Sequence, residues 1–284
     1  MRAENIPRRT LLAGALAACA TPASAAVRPR RIVSLNSCLD YMLVELVDRD
    51  QIAALSHFAR QPQSSPIADL ARTLPFTWGS AEEVIALRPD LVLSSRMGGF
   101  SAYNSLKRLD IRQGQFSALQ TVDENLAQVM EIATLVGWPE RGRRLVARIR
   151  AALEAARPPS GSRPIRTLVY QANGFSPGPQ TLLSEVMGIA GFENVAGRYG
   201  LKSWGTVPLE RLIADPPELL LVGDASSEAR SWADRVMTHP ALKSLEGRMR
   251  QGRLAENLVY CGGPILIPLA QALTRARLAA RTRA

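Results

Sequence analysis

One pattern occurs twice in this chain, 128 positions apart (Glu82 to Glu210), and it restricts the possible folds more than any other feature. In the first copy Glu82 opens a helical stretch to Ala86, Pro89 ends it, and Leu91-Val92-Leu93 follows as an apolar run. In the second, Glu210, Ala214, Pro217 and Leu219-Leu220-Leu221-Val222 take the same places in the same order. Proline cannot continue a helix, and a short apolar run after such a breaker suits a strand covered on both faces. Each copy therefore reads as a helix feeding a parallel sheet. Ser80-Ala81-Glu82-Glu83 has the form of a capping box, with Glu83 as the partner of Ser80. The segments that open the two halves, Arg31 to Asn36 and Arg166 to Gln171, also correspond. The sequence predicts two α/β lobes of similar design.

Between the halves, Pro139 is placed to start a helix at its first turn, and the residues to Ala156 are rich in alanine, leucine and arginine. Leu145, Ile149 and Leu153 recur at a spacing that lines one face, and Pro158-Pro159-Ser160-Gly161 ends the segment. About 18 residues at about 1.5 Å each make a rod of about 27 Å, the scale of a small domain. One helix resists rotation of the lobes better than a pair of loose strands, so the lobes are expected to move little. The expected organisation is an export signal over 1–25, an N-terminal α/β lobe over 26–138, a linker helix over 139–158 and a C-terminal α/β lobe over 159–284. The fold class is α/β: two Rossmann-like lobes with parallel sheets, joined by a single long helix, with a ligand cleft between them.

Arg2, Arg8 and Arg9, the apolar stretch Leu11 to Ala18 and the small residues Ala23-Ser24-Ala25 follow the order of an export signal, of the ordinary or the twin-arginine type. A competing cleavage at Leu16-Ala17-Ala18-Cys19 would leave a lipidated Cys19 as a membrane anchor. Both place the protein in the periplasm. With 46% hydrophobic and 21% charged residues the chain is globular, and no apolar run reaches the roughly 18 residues of a membrane span. The formal charge of +10 is spread along the chain, with one concentration at Arg275, Arg277, Arg281 and Arg283. This reads as a solvated basic tail, and no nucleic-acid partner is expected.

Beyond the leader two cysteines remain, Cys38 and Cys261, each after a predicted strand of a different lobe. Three readings stand side by side: a disulfide tying the lobes, a thiolate pair touching a soft metal, and two unrelated buried cysteines. Cys261 is followed by Gly262-Gly263-Pro264, a turn that allows close backbone approach.

Several of these segments together resemble a known family. Arg31-Ile32-Val33-Ser34-Leu35-Asn36 with its following helix, Glu82 through Leu93, Gly188 to Ala196 ending Gly191-Phe192-Glu193-Asn194-Val195-Ala196, and Trp204 before Leu209-Glu210 carry the likeness over nearly all of the chain after the leader. The chain is similar to the helical-backbone (class III) substrate-binding proteins of ABC importers, the group of the periplasmic cobalamin- and ferric-siderophore-binding proteins. The resemblance implies that a metal chelate, a ferric siderophore or a cobalamin-like corrinoid, sits between the lobes and is delivered to an ABC importer permease. It also implies that Glu82 and Glu210, one on each lobe, meet arginines of that permease. Two outward carboxylates at a fixed separation gauge lobe placement and speed encounter more than they add affinity. No resident cofactor is expected, although the ligand would carry iron or cobalt, and the protein is expected to be a monomer.

Open α/β sheets bind ligands beyond the carboxyl ends of their strands. In the first lobe that rule selects Asn36, Ser37, Cys38, His57, Phe58, Arg60, Arg96 and Met97. In the second it selects Gln171, Asn173, Phe175, Asp224, Tyr260 and Cys261, with Trp204 just before the second docking helix. Aromatic faces with a few polar groups suit a bulky, flat or chelated ligand, and Arg60 or Arg96 could pair with carboxylate or phosphate on it. A bare zinc or manganese site needs more ligands than His57 and His239 supply, so no protein-held metal is expected.

Other classes predict other features. A nucleotide enzyme would show G-x-x-x-x-G-K-[ST], or G-x-G-x-x-G after the first strand, and neither is present. The G-x-S-x-G form of a hydrolase occurs at Gly174-Phe175-Ser176-Pro177-Gly178, but Pro177 after the serine has no N–H to offer an oxyanion hole. An exported cysteine-dependent enzyme or redox protein would use Cys38 with His57. A sensor could keep the same fold without transport. The expectation is a binding protein rather than an enzyme.

Overall fold

The computed structural model describes residues 28–96, 100–223, 240–243, 245 and 247–282. The expected export signal, Cys19, Met97, Asp224, His239 and Arg283 lie outside the described residues.

The first lobe runs β1 (Ile32–Ser34), α1 (Ser37–Leu46), β2 (Ile52–Ser56), α2 (Ala68–Ala71), β3 (Phe76–Thr77), α3 (Ala81–Ala86), β4 (Leu91–Ser95), α4 (Phe100–Arg108), β5 (Gln113–Phe116) and α5 (Val122–Leu135). Its strands form one sheet in the order β3-β2-β1-β4-β5, every neighbouring pair parallel. After α6 (Pro139–Ala156) the second lobe runs β6 (Ile165–Tyr170), β7 (Phe175–Ser176), α7 (Leu182–Ile189), β8 (Phe192–Asn194), β9 (Gly205–Thr206), α8 (Leu209–Ala214), β10 (Leu219–Val222), α9 (Pro240–Lys243), β11 (Arg250–Arg253) and α10 (Leu266–Thr282). Its main sheet has the order β11-β10-β6-β8, again parallel, while β7 and β9 form a separate antiparallel ribbon.

The duplicated pattern has the same structural place in both lobes. Its strands, β4 and β10, pair directly with the lobe-opening strands: Leu91 lies opposite Ile32, and Leu219 opposite Thr167. All four residues of β10 and the first four of β4 are buried, which is why both read as unbroken apolar runs. In each sheet the strand order reverses at this pairing, so each lobe has a switch-point crevice beside it.

Helix α6 is more than a spacer. Its Leu145, Ile149 and Leu153 face belongs to one continuous core that also takes in Leu91 and Leu93 of the first lobe and Val186, Leu219 and Leu269 of the second. Gly142 brings α6 against α5, since a β-carbon there would stand 2.4 Å from Ala133 Cβ. The basic C-terminal stretch departs from the expected solvated tail. Arg277 is only 5% exposed, and its Nη1 donates to the carbonyls of Ala156 and Ala190, 2.5 Å each. These carbonyls belong to the last turns of α6 and α7, so one cation satisfies the open ends of two helices. Arg281 donates to Ser162 Oγ and the Arg163 carbonyl.

Candidate functional site: a cleft between the lobes

A cavity of about 540 Å³ lies between the lobes. The carboxyl ends of β1, β4 and β5 supply Asn36, Ser95 and Phe116, and the second lobe supplies Thr181, Trp204 and Tyr260. Five amide side chains line it: Asn36, Gln120, Asn125, Gln128 and Gln180. The hydroxyls of Ser95, Ser117, Thr181 and Ser203 add further donors and acceptors. Among the described residues no Lys, Arg, His, Asp or Glu contributes to its walls. A larger hollow of about 660 Å³, between β11 and α10, is lined by the second lobe alone and is not part of the cleft.

Trp204 and Tyr260 of the second lobe face Phe116 of the first across the cavity wall, and Phe175 backs Trp204 from outside it. Phe175 and Trp204 stack with ring centres 5.2 Å apart and planes 15° apart, and Tyr260 lies 5.5 Å from Trp204. Phe175 is on β7 and Trp204 immediately precedes β9, so pairing of that ribbon brings the rings together. The turn into β7 needs Asn173 and Gly174 at positive φ, 58° and 76°. A β-carbon on Gly174 would meet the Val207 carbonyl at 2.5 Å, so this position requires glycine. Asn173 is exposed and serves the turn rather than the cavity wall. Burial, reinforced by the Glu256 charge, pushes the Tyr260 phenol up to about 12.

A second aromatic group occupies the carboxyl ends of β2 and β3. The His57 ring lies 3.8 Å from Phe58 and 4.7 Å from Trp78, while Phe76 meets Trp78 edge-on at 5.9 Å. Trp78 is 66% exposed, more than any other large hydrophobic among the described residues. The sequence reading passed over it. The signal was the repeat: Trp78-Gly79 precedes the Glu82 helix as Trp204-Gly205 precedes the Glu210 helix. Glu83 departs from its expected role. Ser80 Oγ does accept from the Glu83 amide, but the Glu83 carboxylate turns back to accept from Thr77 Oγ1 (2.7 Å) and the Trp78 amide (2.8 Å). These hydrogen bonds hold its pKa below the ordinary glutamate value and fix the loop that carries Trp78.

The two arginines considered as anion binders are placed otherwise. Arg60 lies over the Phe76 ring at 4.4 Å and donates to the Arg72 carbonyl, and Arg96 is exposed; neither lines the cavity. His57, Phe58 and Phe175 do not line it either, whereas Asn36, Cys38, Trp204, Tyr260 and Cys261 do. Asn36 also caps α1, its Oδ1 accepting from the Cys38 amide. Behind the first lobe's strand ends, Asp40 is fully buried and takes hydrogen bonds from the Ser56 hydroxyl and amide. Burial raises its pKa to about 7.

The cysteines form a disulfide, with 5.2 Å between Cα atoms and a sequence separation of 223. The thiolate-pair and separate-cysteine readings are thereby overturned, and so is an enzyme using a free Cys38 thiol. Among the described residues, three further side-chain hydrogen bonds cross between the lobes. Asn125 Oδ1 accepts from the Gly263 amide (2.7 Å), Glu185 Oε2 accepts from the Val122 amide (2.7 Å), and Asn257 Nδ2 donates to the Pro62 carbonyl (2.8 Å). Glu82 and Glu210 both sit exposed in the first turns of α3 and α8. Among the described residues no group of three or more metal-ligating side chains occurs, and no helix is long and apolar enough to cross a membrane.

Two parallel-sheet lobes joined by one long helix, with a cleft between their strand ends, define the helical-backbone class of two-lobed fold. The family model described as periplasmic binding protein matches residues 32–250, and the chain belongs to that family. The chain is 26% identical over 214 residues to the cobalamin-binding protein of Halobacterium salinarum, an overlap of 74% of this chain and 58% of that one. It thus spans less than two thirds of that relative's length. It is also 26% identical over 202 residues to the vitamin B12-binding protein of Vibrio campbellii, covering 68% of this chain and 70% of the other. Among solved structures, the apo periplasmic heme-binding protein RhuT from Roseiflexus superposes with a TM-score of 0.72 at 24% identity, covering 87% of this chain and 98% of that one. The vitamin B12-binding protein BtuF of Vibrio cholerae does so with a TM-score of 0.67 at 15% identity, covering 89% and 98%. The chain shares the fold of both.

Proposed function

We propose that this protein captures a corrinoid in the interlobe cleft, in the periplasm, and delivers it to an ABC importer permease. The observation that carries the reading is the chemistry of the cavity wall: aromatic faces, amides and hydroxyls, with no charged side chain among the described lining residues. A corrinoid is a flat chelate whose rim carries uncharged amides, which pair with Asn and Gln side chains without burying an ion. A heme brings two carboxylates and calls for an axial ligand, and ferric siderophores are commonly anionic; both fit a wall with cations better. The raised Tyr260 phenol also opposes phenolate ligation of iron. The relatives named for cobalamin and vitamin B12 support the same choice. Glu82 and Glu210 supply the docking carboxylates on the two lobes.

The test is titration of the purified protein with cyanocobalamin and, separately, hemin, followed by tryptophan fluorescence. Cyanocobalamin is expected to bind, and Trp204→Ala to weaken it by about 30-fold, the effect of losing about 2 kcal/mol at a buried aromatic anchor. Binding of hemin without cyanocobalamin, or an unchanged Kd in Trp204→Ala, would overturn the reading.

A further inference from the structure

We infer that the Cys38–Cys261 disulfide is a reducible latch that sets the width of the cleft, so that thiol–disulfide exchange loosens the lobes and speeds ligand release. The part concerning ligand rests on the proposed cargo; the latch itself does not.

The bond stands at the root of a finger. Cys261-Gly262-Gly263-Pro264 leaves the second lobe and presses between α1 and α5 of the first. A β-carbon on Gly262 would stand 2.0 Å from Asn125 Nδ2, and one on Gly263 would stand 2.4 Å from Met42 Cε. Gly263 has φ of +66°, and its amide donates to Asn125 Oδ1. The paired glycines noted in the sequence therefore permit an interlobe contact from which a β-carbon would displace Asn125 or Met42. Noncovalent ties hold the tip, and the covalent bond holds the base. Both cysteines are half-buried and line the cavity, so a small dithiol entering the cleft reaches the sulfurs and a ligand in the cleft shields them.

The surroundings also choose which sulfur departs. Cys38 is the second residue of α1, whose Asn36 cap accepts its amide proton, and a helix N-terminus stabilises a thiolate. Cys261 is in a loop. A dithiol thiolate attacks Cys261 Sγ, the S–S bond breaks, and its electron pair leaves on Cys38 Sγ. The reductant's second thiol then attacks the mixed disulfide and releases Cys261. The protein gains two thiols, the dithiol becomes a cyclic disulfide, and two electrons and two protons are transferred. The hydrogen bonds at Asn125, Glu185 and Asn257 and helix α6 still join the lobes afterwards, so reduction widens the range of lobe positions without separating them.

The test compares oxidised protein with protein treated with dithiothreitol, thiol content being counted by alkylation and intact mass. Amide exchange is read over residues 37–46 and 259–266, and the dissociation rate of cyanocobalamin is read by stopped flow. Reduction is expected to speed exchange in both segments by about tenfold or more, through local opening, and to raise the dissociation rate by a similar factor. The Cys38→Ser/Cys261→Ser variant should behave as the reduced protein, and bound cyanocobalamin should slow reduction. Failure of dithiothreitol to reduce the folded protein, or equal exchange before and after reduction, overturns the latch. Faster exchange in a protein that does not bind cyanocobalamin overturns the cargo and leaves the latch standing.

Discussion

Asp40 offers the sharpest test of the energetics. Its carboxyl is fully buried among Ser34 and Ser56, and desolvation raises its pKa from 3.8 to about 7 against the hydrogen bonds that oppose the rise. The folded state therefore keeps a proton that the unfolded chain releases above about pH 4, so stability is greatest below that point. It is lost as pH rises through about 7 and then levels off. The change from 3.8 to about 7 corresponds to about 4 kcal/mol in all. Asp40→Asn keeps the shape of the neutral acid, with a carbonyl for the Ser56 amide and an NH₂ for a serine oxygen, but cannot ionise. Urea unfolding of the oxidised wild type and of Asp40→Asn from pH 5 to pH 8 isolates the effect, because other titrating groups cancel in the difference. The advantage of the variant is expected to grow by about 3 kcal/mol over that range. A difference independent of pH, or one that shrinks as pH rises, would refute the argument that desolvation governs this carboxyl.

Glu82→Ala with Glu210→Ala should leave the Kd for cyanocobalamin unchanged and abolish stimulation of the cognate importer's ATPase in proteoliposomes; full stimulation by the double variant would exclude these carboxylates from docking. Gly262→Ala should lower stability by about 1–3 kcal/mol in urea unfolding, since the new methyl overlaps Asn125. Gly188→Ala serves as its control: the position is helical with nothing within 4 Å of the added carbon, and it should stabilise by about 0.5–1 kcal/mol.

What the sequence disclosed follows from which forces shape each element. The strands β4 and β10 are buried on both faces, so apolar runs announce them, and α6 shows its core through Leu145, Ile149 and Leu153. Strand β11 was illegible. Arg250-Gln251-Gly252-Arg253 is an edge strand held by main-chain pairing to β10, and its side chains carry no apolar alternation. In the cleft, Tyr260 could be placed by the strand-end rule and Trp204 by its position before the Glu210 helix, and Trp78 was recoverable from the duplicated Trp-Gly. The amides Gln120, Asn125, Gln128 and Gln180 were not, because they come from loops and helix faces where polar residues are the norm. The disulfide could be conceived but not chosen, since residues 223 apart meet only if the glycine finger reaches the opposite lobe. Arg277 looked like its neighbours in a basic tail, and only the convergence of two helix ends distinguishes it.

The described cleft wall carries no charged side chain in a chain of formal charge +10, and with the proposed cargo and docking this divides the two engagements by their response to ionic strength. Neutral cargo held by ring faces and amides feels little of the Debye atmosphere, while pairing of exposed carboxylates with a membrane partner weakens as that atmosphere tightens. On the proposed function, concentrated salt would thus strip the carrier from a permease without emptying it.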